Sequence, residues 1–336
     1  MSERCFVIAE AGSNHDGSLD TARRLIGVAA GAGADAVKFQ VFRAQKLYPR
    51  SAGVSDYLGI QTPIYDVIEA METPYEWLPV LAEECRAAGV LFMATPFDEE
   101  SADRIDPFVD VHKIASYELT HLPLVEHVTR TGKPLVLSTG TATLDEVGET
   151  IDAVHHAGGR ELTLMQCTAA YPAPFEALQL RTITTMRDVF GVPVGLSDHS
   201  RDPVVAPVAA VALGAAAIEK HFTLSNDRPG PDHRFALEPH ELEQMVQAIR
   251  DTEDALGHGR KEVEPAEREL HAFARRAIFA TEPIAAGQAF SARNVAALRC
   301  GKLHAGLPPR ELPALIGRRA VRDLAPDTPV LAGDVA

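Results

Sequence analysis

Short β-rich runs alternate with amphipathic stretches from residue 6 to about residue 256, and this alternation constrains the fold more than any other feature. Such a pattern is typical of βαβ units and a parallel sheet. The predicted strands cover residues 6–10, 36–40, 91–95, 111–116, 134–139, 162–168, 192–198 and 216–222. Eight repeats favour a closed barrel over an open sheet, because closure removes both edge strands. The predicted fold class is therefore α/β, a (β/α)₈ TIM barrel.

Local signals mark the ends of individual helices. Ser18 or Asp16 is placed to cap the helix after the first strand, and Thr143 the helix after the fifth, which Gly158 ends. The connection after the second strand, residues 41–74, is unusually long, and long insertions at such points usually serve as lids or binding loops.

The composition changes after the last predicted helix of the barrel. A polar stretch at 257–269 is typical of a linker, and from about residue 276 the sequence has short strands broken by Gly and Pro. We therefore predict a catalytic barrel domain at 1–256, a linker at 257–275 and a small lid domain at 276–336.

Charge and cysteine content exclude several classes of protein. The net charge of −15 opposes binding to nucleic acid or to an anionic membrane, so an anionic substrate needs a local positive site. The cysteines are scattered and form no CxxC pair, which argues against a disulfide framework and fits a reducing cytoplasm. No leader segment or run of about 18 apolar residues is visible. We expect a cytoplasmic protein with neither nucleic-acid nor membrane partners.

Two histidines fall at matched positions in the last two predicted strands. Because side chains alternate along a strand, Ser197 and His199 share one face, as do Glu219 and His221. Equivalent ends of neighbouring parallel strands lie about 5 Å apart, close enough for two imidazoles to share one divalent metal ion. A site with open positions suits a catalytic Lewis acid, Mn²⁺ first and Mg²⁺ or Co²⁺ as alternatives. The alternative interpretation is that each histidine is simply a polar side chain at a strand end.

Two lysines lie inside apolar strand sequence. Burying the ammonium groups of Lys38 and Lys113 is costly unless an anion meets them. With the hydroxyl groups of Ser116, Ser138 and Ser197 they would form a phosphate and carboxylate site at the barrel mouth. Two alternatives remain open: an internal network with Glu10, Glu118 or Glu219, and a Schiff-base lysine that needs no metal.

Nine short segments occur in one order along the barrel: AEAGSNHDGS, VKFQ, TPFDEES, HKIASYEL, GKPLVLSTG, CTAAYPAP, GLSDHS, IEKHFTL and RPGPDHRFAL. RRAIFA and NVAALR follow in the tail. With these segments the sequence resembles the N-acetylneuraminate (sialic acid) synthase family, including its pseudaminic, legionaminic and spore-coat polysaccharide relatives. The resemblance implies a barrel followed by an antifreeze-like (SAF) domain, in a domain-swapped homodimer whose lid covers the partner's barrel mouth.

The resemblance also implies roles for individual residues, carried over motif by motif. It makes His199 and His221 the Mn²⁺ ligands, with Glu10 acting through metal-bound water. Phosphoenolpyruvate would be bound by Lys38, Lys113, Ser116, Ser138 and Ser197, with Glu118 and Glu219 holding the site in order. The sugar would be contacted by Tyr171 and Asp232, and from the partner's tail by Phe273 and Arg299.

The implied activity is a phosphoenolpyruvate-dependent, carbon–carbon bond-forming transfer of EC 2.5.1 type. The acceptor would be an N-acylated amino-sugar aldehyde, either N-acetylmannosamine or a 2,4-diacetamido-6-deoxy hexose, and phosphate would leave with C–O cleavage. Ala169 stands where neuraminate synthases tend to have Asn, which favours the deoxy sugars. The competing hypotheses are a Schiff-base aldolase using Lys113 or Lys220, and a non-catalytic carbohydrate-binding or assembly protein.

Overall fold

Parallel strands close into a barrel in the computed structural model, which describes residues 4–54 and 61–336. Within those residues the barrel strands are Phe6–Gly12 (β1), Ala36–Val41 (β2), Leu91–Pro96 (β3), His112–Ile114 (β4), Leu135–Ser138 (β5), Leu162–Cys167 (β6), Val194–Asp198 (β7) and Ala217–His221 (β8). β8 pairs back with β1 and closes the ring. The predicted TIM barrel is confirmed, and each predicted strand end lies within two residues of the observed one.

Helices follow the strands on the outside of the barrel. They are Leu19–Gly31 (α1), Ala44–Leu47 (α2), Ile64–Ala70 (α3), Leu78–Ala88 (α4), Glu99–Ile105 (α5), Leu122–Thr129 (α6), Leu144–His156 (α7), Thr182–Phe190 (α8), Val205–Ala212 (α9) and Pro239–Leu256 (α10). The side chain of Ser18, not Asp16, accepts the capping hydrogen bond of α1, from the amide of Thr21. Thr143 and Glu146 form a reciprocal capping box on α7.

The interior of the barrel is apolar at one end and polar at the other. On β1, Val7 and Ala9 pack outward in the large core shared with the helices, whereas Ile8 belongs to a second cluster with Met93, Val136 and Met165. This second cluster fills the barrel interior. Gly195 on β7 leaves room for it, since a Cβ there would lie 2.6 Å from the sulfur of Met165. The polar inward residues therefore lie beyond this cluster, toward the carboxyl ends of the strands.

The chain divides into two compact units, Met1–Gly257 and His258–Ala336. The second contains the helices Arg268–Ala274 (α11) and Leu312–Leu315 (α12) and the antiparallel strands Arg276–Ala280 (β9) and Val295–Arg299 (β10). Its core has Ile278, Phe290 and Val330 at its centre. The predicted linker at 257–275 thus includes a short helix, and the predicted domain boundaries stay a prediction. No helix within the described ranges combines the length and apolar character that crossing a membrane requires.

Candidate functional site

A cavity of about 530 Å³ opens at the carboxyl ends of the barrel strands. Eleven of the residues predicted for the site line it: Glu10, Lys38, Lys113, Ser116, Ser138, Tyr171, Ser197, His199, Glu219, His221 and Asp232. Glu118 is not among the described lining residues, and Phe273 and Arg299 are exposed residues of the second unit. Active sites of TIM barrels lie at this end, because the loops that follow the strands meet there.

The imidazoles of His199 and His221 lie side by side in the cavity. Their ring centroids are 5.4 Å apart, and the register that pairs Asp198 with Lys220 brings the next residue of each strand alongside its neighbour. Nδ1 of His199 donates to the carbonyl oxygen of Thr168 at 2.8 Å, so Nε2 is the acceptor nitrogen when this ring is neutral. Burial opposes the charged form, but Cys167 and the carbonyl of Thr168 outweigh it and raise the pKa of His199 above its ordinary value. The structure therefore brings together the two side chains proposed as metal ligands.

The residues around these imidazoles fit a divalent cation. Nδ1 of His221 is buried without a hydrogen-bond partner among the described residues, and the carboxylate oxygen Oδ2 of Asp232 lies 3.8 Å from it. Burial, with the neighbouring His199, lowers the pKa of His221 well below its ordinary value of 6.5, so this ring is neutral at physiological pH. A neutral imidazole is the form that binds metal.

A second group of ligand-type side chains belongs to the second unit. His258, Glu262 and Glu264 are exposed residues of the second unit whose ligand atoms lie within 4.8 Å of one another. Nε2 of His258 makes ion pairs of 3.4 and 3.8 Å with these two carboxylates, which water also reaches. Exposed charge clusters of this kind occur commonly without an ion.

Two buried ammonium groups face the imidazoles from β2 and β4. Nζ of Lys38 lies 2.8 Å from Oε2 of Glu10, and its distance to Oε2 of Glu219 is 3.7 Å. Nζ of Lys113 donates to the hydroxyl of Ser138 at 2.7 Å and lies 3.6 Å from Oε1 of Glu219. The internal lysine–glutamate network considered as an alternative is thus present through Glu10 and Glu219, and the same two lysines line the cavity.

Burial and the neighbouring charges have opposite effects on the pKa values of the carboxyl groups in this network. Burial raises the pKa of Glu10 above its ordinary value even though Lys38 opposes the change. Burial also disfavours the charged form of Glu219, but Lys113 and Lys38 outweigh it and hold the pKa of that carboxyl below its usual range. Burial lowers the pKa of Lys113. Cavity groups with strongly shifted pKa values are typical of functional sites.

Lys220 is buried on the other face of β8. Its Nζ donates to Oδ2 of Asp198 at 2.5 Å and to the carbonyl oxygen of Ser200 at 2.6 Å. It is not among the described residues that line the cavity. Of the two lysines considered as Schiff-base nucleophiles, only Lys113 therefore reaches the site.

Glu118 follows β4 in a short 3-10 helix, Ser116–Glu118. Its side chain is buried, and its Oε2 has no hydrogen-bond partner within the described part of the chain. Burial raises the pKa of this carboxyl to about 7. It is not among the described residues that line the cavity, and its role of holding the site in order stays a prediction.

The sugar-binding candidates lie on the loops after β6 and β8. The ring of Tyr171 packs against that of His199, with centroids 4.2 Å apart. Burial and the negative charge of Glu10 raise the pKa of Asp232 to about 6.

A set of hydrogen bonds that was not predicted from the sequence fixes the loop that carries Asp232. We call it the clamp, and it joins Asp16, Thr223, Arg228 and His233. The next residue, His233, is fully buried, with Nδ1 2.6 Å from the hydroxyl of Thr223 and Nε2 2.8 Å from Oδ1 of Asp16. The other carboxylate oxygen of Asp16 accepts from Nε of Arg228 at 2.7 Å. The polar run SNHDG after the first strand was the available signal for this contact.

The long connection at 41–74 also contributes to the site. Residues 55–60 lie outside the described part of the chain, but α2 and α3 fall within the connection, and four residues of the second segment, Ile64, Val67, Ile68 and Met71, line the cavity. No site residue was predicted there. Their spacing of three and four residues was the signal that could have identified one helical face.

A TIM barrel whose mouth combines two imidazoles, two ammonium groups and several carboxylates is typical of an enzyme that acts on a small anionic substrate. Comparison with known proteins makes this more specific. The NeuB family model matches residues 25–261, and the SAF domain model matches residues 275–336. The chain belongs to the NeuB family and carries a C-terminal SAF domain, as predicted.

Similarity extends over nearly the whole chain. The spore coat polysaccharide biosynthesis protein SpsE of Bacillus subtilis is 44% identical over 98% of this chain and 93% of its own length. The N,N'-diacetyllegionaminic acid synthase of Legionella pneumophila is 38% identical over 98% of this chain and 94% of its own. The crystal structure of the Bacillus subtilis protein matches with a TM-score of 0.67 and 43% identity, covering 99% of this chain and 95% of that one.

Proposed function

We propose that this chain is a nonulosonic acid synthase that condenses phosphoenolpyruvate with an N-acylated amino-sugar aldehyde and releases phosphate. Relatives named as legionaminic, pseudaminic and N-acetylneuraminate-9-phosphate synthases support this product class. The observation that carries the proposal is the pair of imidazoles, with centroids 5.4 Å apart, in the same cavity as Lys38 and Lys113. The acceptor is N-acetylmannosamine or a 2,4-diacetamido-6-deoxy hexose.

The ammonium groups select the anionic substrate. Lys38 and Lys113 bind the phosphate and carboxylate of phosphoenolpyruvate, and the hydroxyl groups of Ser116, Ser138 and Ser197 supply further hydrogen bonds. These groups hold the substrate in one orientation, with C3 of phosphoenolpyruvate directed at the acceptor. Orientation of this kind supplies much of the rate enhancement of a two-substrate reaction.

The imidazoles of His199 and His221 would hold a divalent ion, Mn²⁺ first and Mg²⁺ or Co²⁺ as alternatives, with Glu10 acting through bound water. When bound, the ion supplies a Lewis acid for the aldehyde oxygen of the open-chain sugar. Tyr171 and Asp232 orient that sugar from the loops after β6 and β8.

The reaction forms a carbon–carbon bond and a C2–O bond to water, and it breaks the C2–O bond to phosphate. C3 of phosphoenolpyruvate attacks the aldehyde carbon, whose oxygen becomes a hydroxyl group by taking up a proton, and positive charge is left at C2. Glu10 and Glu219 stabilise that charge electrostatically. Water adds at C2 and gives up a proton, which balances the proton taken up by the aldehyde oxygen, and C2 becomes a ketone as phosphate departs with its bridging oxygen. Glu118 keeps this arrangement in order.

The test is an assay of phosphate release from purified protein, with phosphoenolpyruvate, Mn²⁺ and each acceptor in turn. Phosphoenolpyruvate labelled with ¹⁸O at the bridging position is expected to give labelled phosphate, and the product mass identifies the sugar. EDTA is expected to stop release. The proposal is wrong if no acceptor supports release under conditions in which the folded protein is intact, or if the label stays in the sugar product.

A Schiff-base aldolase is the second candidate. Lys113 lines the cavity and burial lowers its pKa, which is what an amine nucleophile requires. This mechanism predicts that borohydride traps a covalent adduct with the substrate on Lys113 and that EDTA leaves activity unchanged. The condensation predicts the opposite result in both experiments.

We further propose a domain-swapped homodimer, in which Phe273 and Arg299 reach the partner's cavity. Mixing the impaired Lys113→Met and Arg299→Ala proteins after reversible dissociation tests it, with phosphoenolpyruvate near the wild-type KM. A swapped mixed dimer contains one site with both normal residues and gains activity over either parent, whereas a lid on its own barrel gives no gain. The cytoplasmic location predicted from the cysteine pattern stays a prediction.

A further inference from the structure

One wall of the cavity is apolar, although other parts of its lining hold charged groups. Ile64, Val67, Ile68 and Met71 all line it, at positions i, i+3, i+4 and i+7 along α3 and the residue after it. All four are half-buried. Within α3, only Tyr65 is fully buried in the structure. The helix therefore presents its apolar face to the cavity rather than to the main core, where such a face usually packs.

The charged residues near this wall have partners elsewhere. Glu69 pairs with Arg50 at 3.7 Å, and Glu72 pairs with Arg43 at 3.7 Å. None of the acidic residues Asp66, Glu69 and Glu72 is among the described residues that line the cavity. A group placed against the wall thus meets aliphatic side chains without an ionic partner from this helix.

The wall is fixed to the barrel at both ends of the insertion. The hydroxyl of Thr73 donates to the carbonyl oxygen of Gln40 at 2.9 Å, and Nη1 of Arg43 donates to the carbonyl oxygen of Thr73 at 3.0 Å. The guanidinium of Arg43 also stacks on Tyr75, 3.6 Å from the ring centroid, and the amide of Ala44 donates to Glu72 at 2.7 Å. These contacts fix the segment that follows α3 against the end of β2 before any ligand arrives, and a wall that is formed in advance lowers the entropic cost of binding.

We propose that these four residues form a subsite for apolar substituents of the acceptor sugar, namely the methyl group of an N-acyl chain or of a deoxy carbon. The inference rests on the proposed function. Phosphate and carboxylate occupy the lysine side, and the acceptor is joined to C3 of phosphoenolpyruvate, so its far end extends toward the remaining wall. A methyl group is stabilised there by the hydrophobic effect, whereas a hydroxyl group loses water without gaining a hydrogen bond from aliphatic side chains.

The expected selectivity follows from the size of the group that is buried. Each methylene group moved from water to an apolar surface favours binding about fourfold. An acceptor with a methyl group at C6 should therefore exceed its 6-hydroxy counterpart in kcat/KM by about fourfold or more. Extending an N-acetyl group to N-propanoyl should be tolerated.

The experiment compares kcat/KM for a 6-deoxy acceptor and its 6-hydroxy counterpart in matched variants. Val67→Thr keeps the shape of the side chain, and Met71→Gln keeps its length, but each places a polar group on the wall. Val189→Thr makes the same chemical change at an exposed position outside the described cavity lining and serves as control. The two wall variants are expected to reduce the deoxy-to-hydroxy ratio about fourfold and leave the KM for phosphoenolpyruvate unchanged, with no effect of the control.

The outcomes distinguish failure of the proposed subsite from failure of the proposed reaction. The subsite alone is overturned if the wild-type protein releases phosphate and both wall variants have the same deoxy-to-hydroxy ratio of kcat/KM as the wild-type protein. A change of molecular mass in the wall variants, with equal losses for both acceptors, also overturns it and assigns the wall to contact with a second copy. Absence of release by the wild-type protein with every acceptor overturns the proposed function, and the subsite with it.

Discussion

Lys113 and Lys220 form a matched pair of buried lysines with different expected roles. Each side chain is 2% exposed, but Lys113 lines the cavity and Lys220 pairs with Asp198 outside it. Replacement of either lysine by Met removes the ammonium group and keeps most of the side-chain volume. We expect Lys113→Met to impair substrate binding and Lys220→Met to impair folding.

The magnitudes follow from the contacts that each substitution leaves behind. Without Lys220, the buried carboxylate of Asp198 loses its counterion, and breaking such a pair costs about 3–5 kcal/mol of unfolding free energy. Without Lys113, Glu219 still has Lys38 at 3.7 Å and the hydroxyl of Ser197 at 2.9 Å, so the cost is about 1 kcal/mol. The lost hydrogen bond to a charged substrate group is worth about 1.5–3 kcal/mol, which raises the KM for phosphoenolpyruvate about 10–150-fold.

Two measurements separate these effects. The protein has one tryptophan, Trp77, whose ring lies 5.4 Å from that of His15 within the barrel unit, so its fluorescence reports unfolding in denaturant. Phosphate release as a function of phosphoenolpyruvate concentration gives the KM. The reasoning is refuted if Lys113→Met keeps a normal KM for phosphoenolpyruvate, or if Lys220→Met is as stable as the wild-type protein.

Three further substitutions test separate features of the site. His221→Ala is expected to weaken Mn²⁺ binding by at least tenfold in a calorimetric titration, and an unchanged affinity would place the metal elsewhere. Glu118→Gln should match wild-type stability near pH 4.5. Above pH 7 the variant should be more stable than the wild-type protein by about 3 kcal/mol. The reason is that Glu118 has a raised pKa in the folded protein, so the stability of the wild-type protein falls as pH rises from 4.5 to 7. Parallel curves of unfolding free energy against pH for the two proteins would contradict this. Asp16→Asn should speed hydrogen exchange in residues 226–235 and raise the acceptor KM about tenfold, and unaltered exchange there would show that the clamp does not hold the loop.

Much of the fold could be predicted because the strand pattern and the barrel have the same physical origin. A strand buried on both faces, such as Leu135–Ser138, is apolar until its last residue, and the polar Ser138 appears where the strand emerges at the mouth. The alternation of side chains also placed His199 beside His221. These inferences need only the period of two residues that every strand has.

The features that escaped prediction depend on contacts without such a period. The clamp joins Asp16 to His233, 217 residues away, and only the closed barrel brings them together. The apolar wall on α3 was missed because an amphipathic segment does not reveal whether its apolar face meets a core or a cavity.

The charges in the cavity make a prediction about the order of binding. When both carboxyl groups are ionised, Glu10 and Glu219 balance Lys38 and Lys113, and each lysine lies near a carboxylate. Phosphoenolpyruvate brings a carboxylate and a phosphate monoester of about −1.5 to −2, which this balanced set does not neutralise. A divalent cation between the imidazoles would offset most of that charge.

Binding of phosphoenolpyruvate and of Mn²⁺ should therefore be positively coupled. We expect saturating Mn²⁺ to tighten the Kd for phosphoenolpyruvate about 5–150-fold, and phosphoenolpyruvate to tighten the Kd for Mn²⁺ by the same factor, since linkage is reciprocal. Isothermal titration of each ligand, with and without the other, measures both factors, and His221→Ala should remove the coupling while leaving a weak anion site at the lysines. Equal affinities for phosphoenolpyruvate with and without Mn²⁺ would mean that the metal does not share the cavity with the anion, because two unlike charges in one low-dielectric site cannot bind independently.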